Sequence, residues 1–156
     1  MPLILPPRLT RAPFVYGGNF ENGIDGWEGN GATIAPVSTP TRYGKGAARV
    51  TANGSNVGIK QELAHATIIE PSKAYLSSIR CRGVGTIYLL AGQYTDEDVY
   101  ITGPTSAQID LDPDEWRVAA VSFVSHETAN KLVLFCNTYG AQDIVWYVDG
   151  AMNKAA

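Results

Sequence analysis

The sequence predicts an all-β fold, a two-sheet antiparallel jelly-roll sandwich preceded by an extended N-terminal arm. Its 156 residues are the usual size of one domain. Short runs of β-branched and aromatic residues alternate with turn residues, and the 16 glycines and 9 prolines supply many turn positions. No helical stripe of useful length competes with these runs. We therefore predict an arm over residues 1–15 and a jelly-roll domain over residues 16–156.

The arm is predicted to be extended because proline disfavours helix at its own position and at the residue before it. Residues 1–15 hold four of the nine prolines. In a polyproline-like conformation, at about 3.1 Å per residue, they span roughly 45 Å, enough to cross a neighbouring subunit. The alternative is an edge strand folded back on its own domain, or a frayed terminus. The apolar residues predicted to dock on a partner are Leu3, Ile4, Leu5, Leu9, Phe14 and Val15.

Ten strands are predicted from the runs between turn residues. In the fourth, Cys81 lies on the opposite face from Arg80 and Arg82, the period-2 pattern of a half-buried strand. Residues 132–136 and 144–148 are almost continuously apolar, which is typical of central strands covered on both faces. The predicted strands are 32–38, 47–52, 57–62, 74–82, 86–94, 99–102, 108–110, 116–125, 131–137 and 144–152.

Composition argues against nucleic acid and membrane partners. With 12 basic and 15 acidic residues the net charge is -3, and no Lys/Arg cluster could neutralise a row of phosphates. The apolar stretches are far shorter than the roughly 20 residues of a membrane span. The N-terminus lacks a basic leader, which predicts a product synthesised in the cytoplasm without a signal peptide. In that setting Cys81 and Cys136 are expected to be reduced core residues.

No residue pattern predicts catalysis, so we expect a non-enzyme that requires no cofactor. His65 and His126 are the two histidines, lie in no nucleophile or zinc motif, and are predicted at the surface. Residues 83–85, Gly-Val-Gly, join two strands and open no helix, which predicts a hairpin turn rather than a phosphate loop. The acidic run 110–114 precedes a strand and is predicted to be a solvated turn without a metal.

Five segments in order resemble the jelly-roll carbohydrate-binding modules appended to xylanases and cellulases, those of families 4, 9 and 22. The opening segment is NFENGIDGW at 19–27, and the others are 44–50, 75–82, 115–123 and 146–149. The match covers roughly residues 16–152 and implies a jelly-roll fold. Their aromatic residues are expected in the core, since buried rings contribute a large apolar area. These aromatic residues are Phe20, Trp27, Trp116 and Trp146.

The resemblance also implies a structural calcium ion. In the family, such an ion often joins a glutamate near the N-terminus to an aspartate of the last strand, and Glu21 and Asp149 match these positions. Carbonyl groups of residues 42–46 could complete the six to eight oxygen ligands that Ca²⁺ prefers. The alternative is a carboxylate pair that accepts backbone N–H bonds and holds the two chain ends together.

The sequence is consistent with two functions. The first is a non-catalytic bacteriophage virion component, a capsid decoration or tail accessory protein, because similar jelly rolls occur in phage virions. It would be located in the virion, dock on other virion subunits through the arm, and form a homo-oligomer such as a trimer. The alternative is a module that recognises a polysaccharide or cell-surface glycan through exposed aromatic and amide side chains. The candidate glycan contacts are Tyr88, Gln93, Tyr94, Tyr100 and Asn137.

Overall fold

A computed structural model describes residues 14–156, which form two packed antiparallel sheets and confirm the predicted jelly-roll sandwich. All ten predicted strands are present, with bounds shifted by a few residues at most. Two short strands and a 3₁₀ turn at Leu63–His65 were not predicted. No helix within 14–156 is long and apolar enough to cross a membrane. The strands are β1 Trp27–Asn30, β2 Thr33–Val37, β3 Ala47–Gly54, β4 Gly58–Gln61, β5 Thr67–Ile68, β6 Ala74–Gly83, β7 Thr86–Tyr94, β8 Tyr100–Thr102, β9 Ile109–Asp110, β10 Arg117–Val124, β11 Lys131–Thr138 and β12 Gln142–Ala155.

The chain crosses repeatedly between the two sheets. The seven-stranded sheet has the order β1-β4-β11-β7-β8, with β5 paired to β11 and β9 paired to β7. The five-stranded sheet has the order β10-β6-β12-β3-β2. Residues 83–85 connect β6 to β7, which lie in different sheets, so the predicted hairpin turn there is wrong. The segment is a sheet-to-sheet crossover.

The core lies between the sheets, where alternate side chains of each strand meet. In β6, Cys81 is fully buried while Arg80 and Arg82 lie on the outer face, as the alternation predicts. Residues 132–134 of β11 are buried on both faces, as predicted for a central strand. Strand β12 is also central, yet its Val145 is 43% exposed. The prediction that both faces of 144–148 are covered is therefore wrong, because no strand within 14–156 packs on the outer face there.

The aromatic core is largely as predicted. Phe20, Trp27 and Trp146 are 1%, 4% and 0% exposed. The rings of Phe20 and Trp27 stack with centroids 5.1 Å apart, and Trp27 Nε1 donates to the Gly17 carbonyl at 3.0 Å. Trp116 is only half-buried, because it precedes β10 at the rim of the sandwich. These contacts fix the turn-rich segment 16–26 against one end of the sheets.

The described chain begins with two residues that pack on their own domain. Val15 is 6% exposed, and its backbone N–H donates to the Ala151 carbonyl at 3.1 Å. Phe14 forms an antiparallel bridge with Met152, and its ring centroid lies 5.4 Å from that of Tyr43. The prediction that Phe14 and Val15 dock on another subunit is therefore wrong, because the domain itself supplies their contacts. The remaining predicted docking residues, Leu3, Ile4, Leu5 and Leu9, lie outside the described residues.

Candidate functional site

The outer side of the seven-stranded sheet carries tyrosine side chains that point away from the core. Alternation in β7 buries Ile87 and Leu89 completely and leaves Tyr88 and Tyr94 partly exposed on the other side. Asn137 of β11 pairs directly with Tyr88, so the two side chains share this side of the sheet. We call this surface the outer tyrosine face. Its tyrosines are Tyr88, Tyr94, Tyr100 and Tyr139.

A cleft of about 230 Å³ lies at one end of the outer tyrosine face, between Tyr88, Tyr139, Asn56, Thr105 and Ser106. The two tyrosine rings meet edge to face with centroids 6.3 Å apart, and Tyr139 is 54% exposed. The Tyr88 hydroxyl donates to Asn56 Oδ1 at 3.0 Å, which fixes its position. An exposed ring beside fixed hydroxyl and amide groups can stack on the apolar face of a sugar and bond its hydroxyls.

Loops position the polar groups of this cleft. Thr105 bridges to Leu90 of β7, and the Ser106 hydroxyl accepts the Leu89 backbone N–H at 2.9 Å. Asn56 lies in the turn between β3 and β4, where its backbone N–H donates to the Thr138 carbonyl at 3.1 Å. The backbone N–H of Tyr139 donates to the Thr86 carbonyl at 2.9 Å. Each cleft residue is thus tied to the sheet by a backbone or bridge contact.

A second pair of tyrosines lies at the other end of the face. The rings of Tyr94 and Tyr100 meet edge to face with centroids 5.4 Å apart, and Tyr100 is 50% exposed. Burial raises the pKa of the Tyr94 hydroxyl, which therefore stays a neutral donor. Tyr94 lies six positions after Tyr88 along β7, which at about 3.4 Å per residue places the two ends about 20 Å apart. The face is therefore long enough for a chain of several sugars.

Between the two tyrosine pairs the outer side of the sheet is largely buried, since Gly92 and its partner Val133 are both buried. Gly92 lies there beside the Phe135 ring, and a Cβ at that position would lie 2.8 Å from Phe135 Cε1. The Lys60 ammonium lies 5.6 Å from the centroid of the Phe135 ring and 3.2 Å from Glu28 Oε1. The missing side chain at Gly92 leaves the space that the half-buried Phe135 ring occupies between the two tyrosine pairs.

Two predicted glycan contacts are not exposed. Gln93 is 1% exposed on the core side of β7, and its Oε1 accepts the His126 backbone N–H at 2.7 Å. Its prediction as a glycan contact is wrong, because adjacent strand residues point to opposite faces. Asn137 lies on the outer side but is 4% exposed, and its Oδ1 accepts from Asn30 Nδ2 at 3.2 Å. It is therefore too buried for the direct glycan contact that was predicted.

The predicted carboxylate pair converges on the turn at 42–46. Both oxygens of Glu21 accept the Lys45 backbone N–H, at 3.0 and 2.9 Å. Asp149 Oδ2 accepts the backbone N–H groups of Arg42 and Tyr43, each at 2.8 Å. Asp149 is 0% exposed, and its pKa is raised to about 6, chiefly by burial. Hydrogen bonds from three backbone N–H groups lower this pKa, and the negative charge of Glu21 raises it slightly.

The donor set at this pair suits calcium in part. The Phe20 carbonyl and Glu21 Oε2 both lie beside Gly46, and no cationic side chain within 14–156 forms an ion pair with either carboxylate. Two hard carboxylates with a neighbouring carbonyl are ligands that Ca²⁺ accepts. Backbone N–H groups already occupy part of their lone pairs, and residues 14–156 contain no cluster of three or more His, Cys, Asp or Glu for a metal. Calcium at Glu21 and Asp149 stays a prediction.

Calcium is expected to raise the melting temperature more at pH 7 than at pH 5. Without the ion, the raised pKa of Asp149 means that its contribution to stability is greatest below its ordinary pKa of 3.8 and is lost as the pH rises through about 6. Calcium binds the charged carboxylate, so its stabilisation grows over the same range. Thermal melts with calcium or EDTA at both pH values test this. Glu21→Gln, which lacks one of the two carboxylates, is the control in which calcium should have little effect. Identical melting temperatures with and without chelator would exclude a calcium ion at this site. The carboxylates would then be held by backbone N–H bonds alone.

The remaining acidic run and the histidines form ordinary surface contacts. Asp112 Oδ1 accepts the Asp114 backbone N–H at 2.7 Å, and its pKa is lowered first by this bond and also by Arg117. His126 is exposed, as predicted. His65 is half-buried and stacks on Tyr16 with ring centroids 4.1 Å apart. Asp110 thus ends β9, and the rest of the run, 111–114, lies in the loop that leads to β10.

Comparison with known proteins identifies the fold. No protein-family model matches the chain, and no curated protein matches it. Among solved structures, the C-terminal family 22 carbohydrate-binding module of Clostridium thermocellum Xyn10B matches with TM-score 0.72 and 16% identity, covering 94% of this chain and 95% of that module. A family 16 carbohydrate-binding module matches with TM-score 0.67 and 15% identity, over 90% of this chain and 99% of that one. The chain has the jelly-roll fold of carbohydrate-binding modules.

A phage protein shares this fold. The enzymatically active domain of bacteriophage CBA120 tailspike protein 4 matches with TM-score 0.73 and 10% identity. The match covers 93% of this chain and 22% of the tailspike chain. The jelly roll of the present chain therefore corresponds to one part of that larger protein.

Proposed function

We propose that this chain is a non-catalytic carbohydrate-binding module that recognises a polysaccharide or cell-surface glycan through its outer tyrosine face. The observation that carries the proposal is the cleft in which Tyr88 and Tyr139 stand beside Asn56, Thr105 and Ser106. Aromatic platforms with adjacent hydroxyl and amide groups are what a sugar ring requires. The fold shared with modules of families 16 and 22 supports the same function.

The proposed role is binding without hydrolysis. Glycoside hydrolysis uses a pair of carboxylates on either side of the scissile bond. The polar groups of the cleft are an amide and hydroxyls, in Asn56, Thr105, Ser106 and the two tyrosines. None of these is a carboxylate, so the cleft can hold a sugar and has no acid–base pair with which to cleave it.

The ligand that this surface suits is an uncharged chain of sugars. No Asp, Glu, Lys, Arg or His side chain lines the cleft, and Lys131, which pairs with Tyr94 across the strands, forms an ion pair with Asp98 at 2.6 Å. A second tyrosine pair, Tyr94 and Tyr100, offers another stacking position on the same face. We therefore infer an oligosaccharide that lies along β7, rather than a single terminal sugar.

Calorimetric titration of the full chain against neutral and acidic oligosaccharides tests this function. The panel includes xylohexaose, a neutral hexasaccharide of another backbone and an oligouronate. We expect a neutral chain to bind and its affinity to change less than about twofold between about 0.05 and 0.5 M salt, because screening weakens only charge-based contacts. No binding to any neutral glycan, or binding to the oligouronate alone, would contradict the proposal.

A second candidate function is a role in a bacteriophage virion, as a capsid decoration or tail accessory protein. The tailspike domain of shared fold favours it. The composition of residues 1–13, with Leu3, Ile4, Leu5 and Leu9 among four prolines, is consistent with docking on a neighbouring virion subunit and with a homo-oligomer such as a trimer. Glycan binding and virion attachment are compatible, since the tyrosine face and the N-terminal segment are separate parts of the chain.

A further inference from the structure

We propose that Cys81 and Cys136 are the site of a covalent cross-link between the two sheets, formed when the chain folds in oxidising surroundings. Their Sγ atoms lie 3.6 Å apart, and both residues are 0% exposed. Cys81 belongs to β6 of the five-stranded sheet and Cys136 to β11 of the seven-stranded sheet. The cross-link goes beyond the proposed glycan binding and does not depend on it.

The two thiols come together through the tertiary fold and not through proximity in the sequence. They are 55 residues apart along the chain, and β6 does not pair with β11. Each points into the core because it occupies an inward position of its strand: Cys81 between Arg80 and Arg82, and Cys136 opposite Leu89. Because a disulfide has sulfurs about 2.05 Å apart, formation of the bond requires the two Sγ atoms to approach by roughly 1.5 Å.

The chemistry needs a small disulfide as oxidant, such as oxidised glutathione. One cysteine thiolate attacks it, forms a mixed disulfide and releases one glutathione thiol. The second cysteine thiolate then attacks the protein sulfur of the mixed disulfide, which forms the Cys81–Cys136 bond and releases the second glutathione thiol. Two S–H bonds of the protein are replaced by one S–S bond, and the oxidant takes up two electrons and two protons.

The folded state protects the reduced pair. Burial, more than contact with Cys136, raises the pKa of the Cys81 thiol, and the thiolate is the reactive form. Neither sulfur is accessible to a dissolved oxidant in the closed sandwich. The bond should therefore form during folding or on opening of the sheets, and a chain folded under reducing conditions should stay reduced.

A cross-link here would join the two layers of the sandwich. The closed loop runs from β6 to β11 and contains β7, β8, β9 and β10. A disulfide stabilises chiefly by restricting the unfolded chain, and the gain grows with loop length. For a domain of this size we expect the melting temperature of the oxidised form to exceed that of the reduced form by about 5–15 °C.

The test is refolding of the full chain from denaturant with either oxidised glutathione or a reducing agent. Intact mass and thiol counting should show loss of both thiols and of two hydrogens in the oxidised sample alone, together with the higher melting temperature. Cys81→Ala and Cys136→Ala serve as matched controls, which keep one thiol and should melt alike under both conditions.

The comparison of oxidised and reduced wild-type chain stands even if a variant fails to fold. Two free thiols after oxidative refolding would overturn the proposal, as would an oxidised form that melts at or below the temperature of the reduced form. The readouts are thiols, mass and melting, so failure here is separate from failure to bind glycans.

Discussion

Replacing both Tyr88 and Tyr139 by alanine is expected to weaken oligosaccharide binding by about a hundredfold or more. The two rings form the walls of the cleft and meet edge to face at 6.3 Å. Truncating a central aromatic contact commonly costs about 2 kcal/mol or more, and this variant removes both aromatic walls of the cleft, so we expect a total cost of about 2.8 kcal/mol, or about a hundredfold in affinity. Calorimetric titration with the tightest neutral ligand measures the effect.

The matched control is Tyr147→Ala. Tyr147 is also a half-buried tyrosine, but it pairs with Arg49 and Arg82 on the outer side of the five-stranded sheet. We expect its removal to leave the affinity unchanged within about twofold, since it lies on the opposite side of the sandwich. Thermal melts of all variants show whether the fold is kept. Equal losses of affinity in Tyr147→Ala and in the Tyr88/Tyr139 variant would show that the outer tyrosine face is not the binding surface.

Trp146→Ala is expected to lower the free energy of unfolding by about 3–5 kcal/mol. Trp146 is 0% exposed at the centre of the five-stranded sheet, where it pairs with Val50 on one side and Gly83 on the other. Gly83 admits the tryptophan because a Cβ there would lie 2.8 Å from Trp146 Cβ. Removing the ring leaves a cavity that two close-packed strands cannot fill. Urea denaturation followed by circular dichroism measures the loss.

Two further variants separate the packing of Trp146 from its polar group. Its indole Nε1 has no hydrogen-bond partner among the described residues, an unfavourable state for a buried donor. Trp146→Phe removes that donor and keeps an aromatic ring, so we expect it to cost much less than alanine. Trp116→Ala, at the half-buried rim, is also expected to cost less. Equal destabilisation by Trp146→Ala and Trp116→Ala would contradict the core assignment.

The sequence predicts most of the fold because alternation assigns the faces of long strands. Arg80 and Arg82 lie outside and Cys81 inside, as the period-2 pattern requires. The same rule could have excluded Gln93, whose neighbour Tyr94 lies on the opposite face of β7. The two-residue strand β5 has too few positions for any alternation to register.

The candidate site was only half predictable, because loops contribute much of it. Asn56 reaches the cleft from the β3–β4 crossover between the sheets, whereas Thr105 and Ser106 come from the β8–β9 connection within the seven-stranded sheet, and no local pattern encodes that convergence. Glu21 and Asp149 were paired through the family resemblance, and the structure brings both to the 42–46 turn. Local periodicity alone does not predict such long-range contacts.

Carbon-13 tyrosine NMR during a titration with the tightest neutral oligosaccharide shows whether a glycan binds on the outer tyrosine face. The eight tyrosines divide evenly between this face and the rest of the molecule. We expect saturable chemical-shift changes for Tyr88, Tyr94, Tyr100 and Tyr139, and none for Tyr16, Tyr43, Tyr75 and Tyr147. Shifts confined to the second group would contradict it.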